Sequence, residues 1–261
     1  MIDQLHYLLA AFSGVLVGFT LGLVGGGGSI LAVPLIVYLV GVRSPHVAIG
    51  TSALAVAANA LFGLVSHARG GNVNWRCGGS YATAGVAGAL AGSTLGKAID
   101  GQKLLFLFAL LMVAVGAAMY RGRRDEGVEG VVCNRDNLPK VMSFGFGTGA
   151  LSGFFGIGGG FLIVPGLVAS TSMTIYRAIG TSLIAVAAFG LTTALNYAAS
   201  GMLDWTLAGY FIAGGAIGSL IGTRVSRYLA AKKGILNTVF ATMIVIVAGY
   251  MLYRSSAAFI G

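Results

Sequence analysis

Two glycine-rich stretches hold most of the groups in this chain that could do chemistry. Residues 22–34 read GLVGGGGSILAVP and residues 153–165 read GFFGIGGGFLIVP. Gly25, Gly26, Gly27, Gly28 and Ser29 in the first, with Gly156, Gly158, Gly159 and Gly160 in the second, present backbone N–H groups that no large side chain shields. Glycine is costly there, by about 1 kcal/mol against alanine inside a helix. A helix broken at such a point would aim free N–H groups and the positive end of its dipole at a bound anion. The plainer reading is close helix packing or a tight turn. Pro34 and Pro165 favour the break, because proline interrupts helical hydrogen bonding.

Hydroxyls and amides follow each cluster. AIGTSAL (48–54) and AIGTSLI (178–184) place Thr51–Ser52 and Thr181–Ser182 near the start of an apolar segment. Their hydroxyls can bond their own helix backbone or donate to substrate oxygens. Asn59 lies seven residues beyond Ser52, on the same helix face, and Asn196 stands in the matching segment of the second half. An amide inside such a segment is either interhelical glue or a substrate donor.

The elements that must position these groups are membrane helices. The 261 residues are 57% hydrophobic and 9% charged, against roughly 25% charged in a soluble domain. Stretches 5–24, 47–66, 78–96, 104–120, 141–157, 178–199, 205–223 and 235–253 are almost free of charge, and most approach the ~20 residues that cross a bilayer core. Two shorter apolar runs, 30–42 and 161–170, directly follow the glycine clusters. The ten-residue alternation of a transmembrane barrel is missing. The reading is an all-α polytopic membrane protein in the lipid bilayer.

The segments fall into two copies. Gly25, Gly27, Gly28 and Pro34 match Gly156, Gly158, Gly159 and Pro165 at an offset of 131. The AIGTS motifs, Trp75 and Trp205, and Gly85, Gly88 and Gly92 against Gly215, Gly218 and Gly222 match at 130. The hydrophilic stretch 121–140 separates them, so residues 1–120 and 141–261 read as transmembrane repeats joined by a linker. Each repeat has about five apolar segments, the second short or broken. With no loop at the glycines, the first two segments must form a tight hairpin or a broken, re-entering helix. Counted along this path, twelve of the sixteen Lys and Arg residues fall on the linker's side of the membrane and four on the other. Basic residues gather on the cytoplasmic side, so the linker is expected inside and both termini outside. An odd number of segments then inverts the second repeat, an arrangement of secondary transporters that bind substrate between repeats.

Several chemistries are excluded. Asp and Glu occur only at positions 3, 100, 125, 126, 129, 136 and 204, in loops or at segment ends. That disfavours a cation substrate and a carboxylate proton relay. A dinucleotide fingerprint needs a preceding strand and a later acidic residue, and neither is present. No Ser–His–Asp, HExxH or paired-carboxylate pattern suggests an enzyme, and no cofactor is implied. Cys77 and Cys133 form no CxxC pair and carry no redox or metal signal. The net charge of +9 reads as membrane topology, with no soluble basic domain left over for nucleic acid. N–H groups, hydroxyls and amides without fixed negative charge suit a small anion.

Taken together, GLVGGGGSILAVPLI, AIGTSALAV, GFFGIGGGFLIVPGL, RAIGTSLIAVAAFG and the GxxGxxxG helix of each half resemble the sulfite exporter TauE/SafE family of bacterial permeases. The resemblance covers nearly the whole chain. GIGGG in the second half fits the family's glycine pattern, whereas GGGGS in the first departs from it at Ser29. The resemblance implies a plasma-membrane carrier that exports small sulfur-containing anions such as sulfite, sulfoacetate or other sulfonates. An anion channel or a non-transport scaffold are the alternatives, and neither substrate nor oligomeric partner is set by it.

Overall fold

The computed structural model describes residues 2–121, 133–134, 137–156, 160–230, 242 and 245–253. The described residues are helical almost throughout. The helices are α1 (Ile2–Val24), α2 (Ala32–Pro34), α3 (Pro45–Arg69), α4 (Trp75–Lys97), α5 (Gly101–Arg121), α6 (Leu138–Phe155), α7 (Gly160–Thr171), α8 (Ile175–Ala198) and α9 (Trp205–Ala230). Stretches 5–40, 45–69, 175–198 and 205–226 are both long and apolar enough to cross a membrane.

Local chemistry starts and stops these helices. Ser44 caps α3 by accepting from Val47 N at 3.4 Å, with Pro45 at the first helical position. Asn74 caps α4 through Cys77 N at 3.1 Å, and Asp204 caps α9 through Leu207 N at 2.9 Å. The turns between α3 and α4 and between α8 and α9 each pass through a left-handed glycine, Gly71 (φ 68°) and Gly201 (φ 70°). Trp75 and Trp205, which open α4 and α9, are largely exposed, as expected of membrane-interface anchors.

The chain reverses at the glycine clusters. Gly25 (φ 67°) breaks α1, and residues Gly25–Leu31 continue as a 3₁₀ helix, followed by α2 and a π-helical stretch, Leu35–Val40. This arm folds back along α1: Thr20 Oγ1 donates to Gly28 O at 3.1 Å, and the Gly28 Cα lies against the backbone of Thr20 and Leu21. Gly156 (φ 67°) ends α6 in the same way, and α7 returns against it. At 12 residues, α7 is only about 18 Å long, well short of a bilayer core.

Glycine also sets how the long helices pack. α1 lies along α9, with Gly14, Gly18 and Gly22 against Phe211, Gly215 and Ser219, and Gly218 and Gly222 against Val15 and Phe19. α6 lies along α4 through Gly145, Gly149 and Gly153 against Tyr81, Gly85 and Ala89, with Gly88 and Gly92 facing Phe146 and Ala150. A methyl group at most of these glycines would overlap facing backbone, and at Gly215 it would overlap the Asn59 side chain. In a bilayer, where lipid tails are as apolar as leucine, such backbone approach is a principal source of helix association. The first helix of each sequence half therefore packs on a helix of the other half, and α3 crosses α8 at the centre.

Cys77, at the start of α4, is bonded to Cys133, 56 residues on, with Cα atoms 5.3 Å apart. The reading of these cysteines as carrying no redox or metal signal is corrected: proximity of the linker to α4, which spacing does not reveal, pairs them in a disulfide.

Two outcomes follow. Gly18→Ala and Gly149→Ala each lower thermal stability in detergent by about 1–3 kcal/mol through overpacking, while Gly209→Ala, with open space around it, causes no loss. Disulfides persist in oxidising compartments and are reduced in the cytoplasm. With the linker inside, both cysteines are reduced in growing cells and, because both are buried, take a thiol-reactive label without added reductant once the protein is unfolded during rapid lysis. Labelling of the unfolded protein only after reduction would place the linker outside.

Candidate functional site

The two folded-back arms meet inside the protein. Gly25–Ser29 and Gly160 are buried, and the backbones of Gly26 and Gly160 touch so closely that a Cβ on Gly160 would overlap the Gly26 carbonyl. Gly25 lies on Ile179 and Gly156 on Ile49, contacts that exchange positions 130 or 131 apart. Gly158 and Gly159 lie outside the described residues.

Two serines bind the crossing together. Gly26 N donates to Ser182 Oγ at 3.1 Å, and Ser182 donates to Ile179 O at 2.7 Å. Gly160 N donates to Ser29 Oγ at 3.3 Å, and Ser29 donates to Gly26 O at 2.9 Å. Ser29 and Gly160 stand 131 residues apart, so each faces its own counterpart in the other motif. The contact holds a single hydroxymethyl group, because a Cβ on Gly160 has no space. This accounts for serine in one copy and glycine in the other.

The threonines serve a different end. Thr51 Oγ1 accepts from Asp204 N at 3.0 Å, and Thr181 Oγ1 accepts from Asn74 N at 2.9 Å. Each pins the loop before α9 or α4 to the start of a helix in the opposite half. Ser52 Oγ donates to Ile49 O at 2.9 Å within its own helix. All five hydroxyl residues, Ser29, Thr51, Ser52, Thr181 and Ser182, are fully buried.

The structure separates the two asparagines. Asn59 is fully buried in α3 against Gly215 of α9, and neither of its amide atoms has a hydrogen-bond partner. Asn196 is part-buried on the other side of the bundle. Its Nδ2 donates to Ser93 Oγ at 2.7 Å and Thr94 Oγ1 at 3.1 Å, and its Oδ1 accepts from Lys97 Nζ at 2.8 Å. Asn196 is thus committed to a clamp between α8 and α4, while the Asn59 amide is uncommitted.

Sequence reading missed Ser219 and Lys97. The Ser219 hydroxyl is buried without a partner and lies 3.2 Å from where a Cβ on Gly63, one turn beyond Asn59, would sit. Its counterpart 130 residues back is Ala89, so internal repetition does not mark it. Lys97 was visible only as a surface charge; its role depends on an acceptor set from a distant helix. Among the described residues no group of three or more His, Cys, Asp or Glu side chains could hold a metal.

A helical bundle with paired folded-back arms, glycine-packed cross-contacts and a neutral polar centre defines a polytopic membrane protein of transporter type. The chain belongs to the sulfite exporter TauE/SafE family, whose model matches residues 10–251. It is 51% identical over 254 residues to a "Probable membrane transporter protein" of Xylella fastidiosa (strain Temecula1), covering 95% of each chain. It is 27% identical over 230 residues to the "Probable membrane transporter protein YdhB" of Bacillus subtilis, covering 87% of this chain and 93% of that one. A "Probable membrane transporter protein" of Haemophilus influenzae is 25% identical over 253 residues, 94% of each chain. No solved structure matches. The protein is a membrane transporter.

Removing either serine at the crossing leaves a buried glycine N–H without its acceptor, which costs about 1–3 kcal/mol. Ser182→Ala and Ser29→Ala are each expected to lower the unfolding free energy by that amount in detergent. In Ser52→Ala, where only a bond within the helix is lost, the decrease is smaller.

Proposed function

We propose that the protein is a secondary transporter that exports a small sulfur-containing anion, such as sulfite, sulfoacetate or another sulfonate, across the bacterial plasma membrane. The observation that carries this reading is the crossing of Gly26 and Gly160 with its two serine-held N–H groups. Both arms bring backbone N–H donors to one buried point that holds no carboxylate. The oxygens of an anion can accept the same N–H groups that the Ser29 and Ser182 hydroxyls accept from here. To donate to the anion as well, each serine hydroxyl must release the carbonyl it bonds here, Ile179 O for Ser182 and Gly26 O for Ser29.

Neutral donors suit this substrate class. They bind negative charge without the large desolvation cost of a fixed buried cation. The Asn59 amide supplies a further donor within the α3–α9 contact, where leaving it unpaired costs free energy. Gly27, Gly28, Gly158, Gly159 and Ser52 are proposed as further members of the same cradle. Thr51, Thr181 and Asn196 support the cradle by holding helices and loops in register.

The proposed repeats, 1–120 and 141–261, are inverted in the membrane, with the 121–140 linker inside and both termini outside. Because α1 packs on α9 and α6 on α4, alternating access is proposed to move α1, α3 and α9 against α4, α6 and α8. The Gly26–Gly160 contact then lies where those groups separate.

Purified protein in proteoliposomes, screened with sulfite, sulfate, sulfoacetate, taurine and thiosulfate, tests the reading. Flux of one or more sulfur oxyanions or sulfonates, accelerated by the same anion on the trans side, is the expected outcome. Flux without such acceleration would identify a channel. Asn59→Ala is expected to lower flux about tenfold to a hundredfold with the fold retained, the equivalent of one hydrogen bond to a charged group. Unchanged flux in that variant would remove Asn59 from the site.

A further inference from the structure

The contact between α3 and α9 opens at its far end into a cleft of about 480 Å³. Arg69 at the end of α3 and Arg224 on α9 both line it, together with Ser66. Among the described residues neither guanidinium has a carboxylate or other hydrogen-bond partner. The remaining wall is apolar and faces outward: Phe62, Val65 and Leu220 are 45%, 50% and 52% exposed. On a membrane helix such side chains are in contact with acyl chains.

The opposite end of the molecule shows what happens when the protein satisfies such a groove itself. Positions 130 residues from Ser66, Gly70 and Arg224 are Asn196, Ser200 and Thr94, in the α8–α4 groove. There Lys97 Nζ donates to Asn196 O at 3.0 Å, Asn196 Oδ1 at 2.8 Å and Ser200 Oγ at 2.9 Å. Its charge is taken up by protein oxygens. The α3–α9 groove instead sets two cations in one cleft, and among the described residues no carboxylate meets them.

Two guanidinium groups present planar, bidentate donors matched to phosphate oxygens. An apolar wall that runs from them into the bilayer matches an acyl chain. Basic clefts between transmembrane helices are recognised sites for anionic headgroups. We propose that this cleft binds an anionic phospholipid, with its phosphate on Arg69 and Arg224 and an acyl chain along Phe62, Val65 and Leu220. A soluble anion would meet the same guanidinium groups but gain nothing from the exposed apolar wall.

Native mass spectrometry of the purified full chain, with phosphatidylglycerol, phosphatidylcholine or inorganic phosphate added, tests the site. The expected result is retention of phosphatidylglycerol over phosphatidylcholine, with a rise in melting temperature that inorganic phosphate does not reproduce. Arg69→Gln and Arg224→Gln each lower that retention about fivefold, the size of one near-surface cationic contact to an anionic lipid. Arg76→Gln, at an exposed position outside the cleft, leaves it unchanged. Arg69→Lys, which keeps the charge but loses the bidentate fork, falls between. Equal retention of the two lipids by the unaltered protein, or equal losses in Arg76→Gln, would overturn the proposal. So would inorganic phosphate that stabilises as well as phosphatidylglycerol, which would reassign the cleft to a soluble anion. Lipid retention is read without flux, so failure here and failure of the transport reading are separate results.

Discussion

The close approach of two backbones at Gly26 and Gly160 is the constraint on which the rest of this structure depends. Neither position tolerates a Cβ against the other. For them to touch, both arms must fold back at a left-handed glycine, Gly25 in one and Gly156 in the other. The helices that deliver the arms must in turn approach their neighbours without side chains between them. That is the work of the glycines along α1, α9, α4 and α6. Irregular backbone at membrane depth is stable only where its polar groups are satisfied by protein or face a cavity. Ser182 and Ser29 meet that condition here: their hydroxyl oxygens accept from Gly26 N and Gly160 N.

The polar groups of the bundle divide by what they are bonded to. Thr51, Thr181 and Asn196 are spent on loops and neighbouring helices, so their value is rigidity. Ser29 and Ser182 are spent on the N–H groups of the crossing, bonds that a stronger acceptor can take over. Asn59 and Ser219 are buried and unspent. Chemistry built from such groups is neutral throughout, which fits the membership of a family described by sulfite export and the proposed anionic substrate. It also keeps the centre free of the fixed charges that are costly inside a bilayer.

Much of the fold was legible because membrane helices carry a strong composition signal. The apolar stretches up to residue 223 fall on the helices found there, including the short returning element after each glycine cluster, while much of the expected stretch 235–253 lies outside the described residues. Glycine at spacings of three and four pointed to packing faces, and α4 and α9 use Gly88, Gly92, Gly218 and Gly222 in that way. The candidate site was legible only as a set of residue types. Repetition marked Thr51 and Thr181 as strongly as Ser182, yet their hydroxyls meet different partners. Asn59 and Asn196 looked alike as intramembrane amides and differ entirely in what surrounds them. The bond between Cys77 and Cys133 escaped notice because nothing in their 56-residue separation encodes proximity.

Taken alone, the amino-acid sequence determined that this chain is an all-helical membrane protein, where its helices run and where they break. Hydropathy, glycine and proline act through local free energies that depend on a residue and its near neighbours. Only the tertiary structure decided that α1 packs on α9 and α6 on α4, that the two glycine motifs meet each other, and which polar groups are left without partners. Those outcomes depend on contacts between residues from about 60 to about 200 positions apart. There the fit of one backbone against another, rather than any local preference, selects the partner.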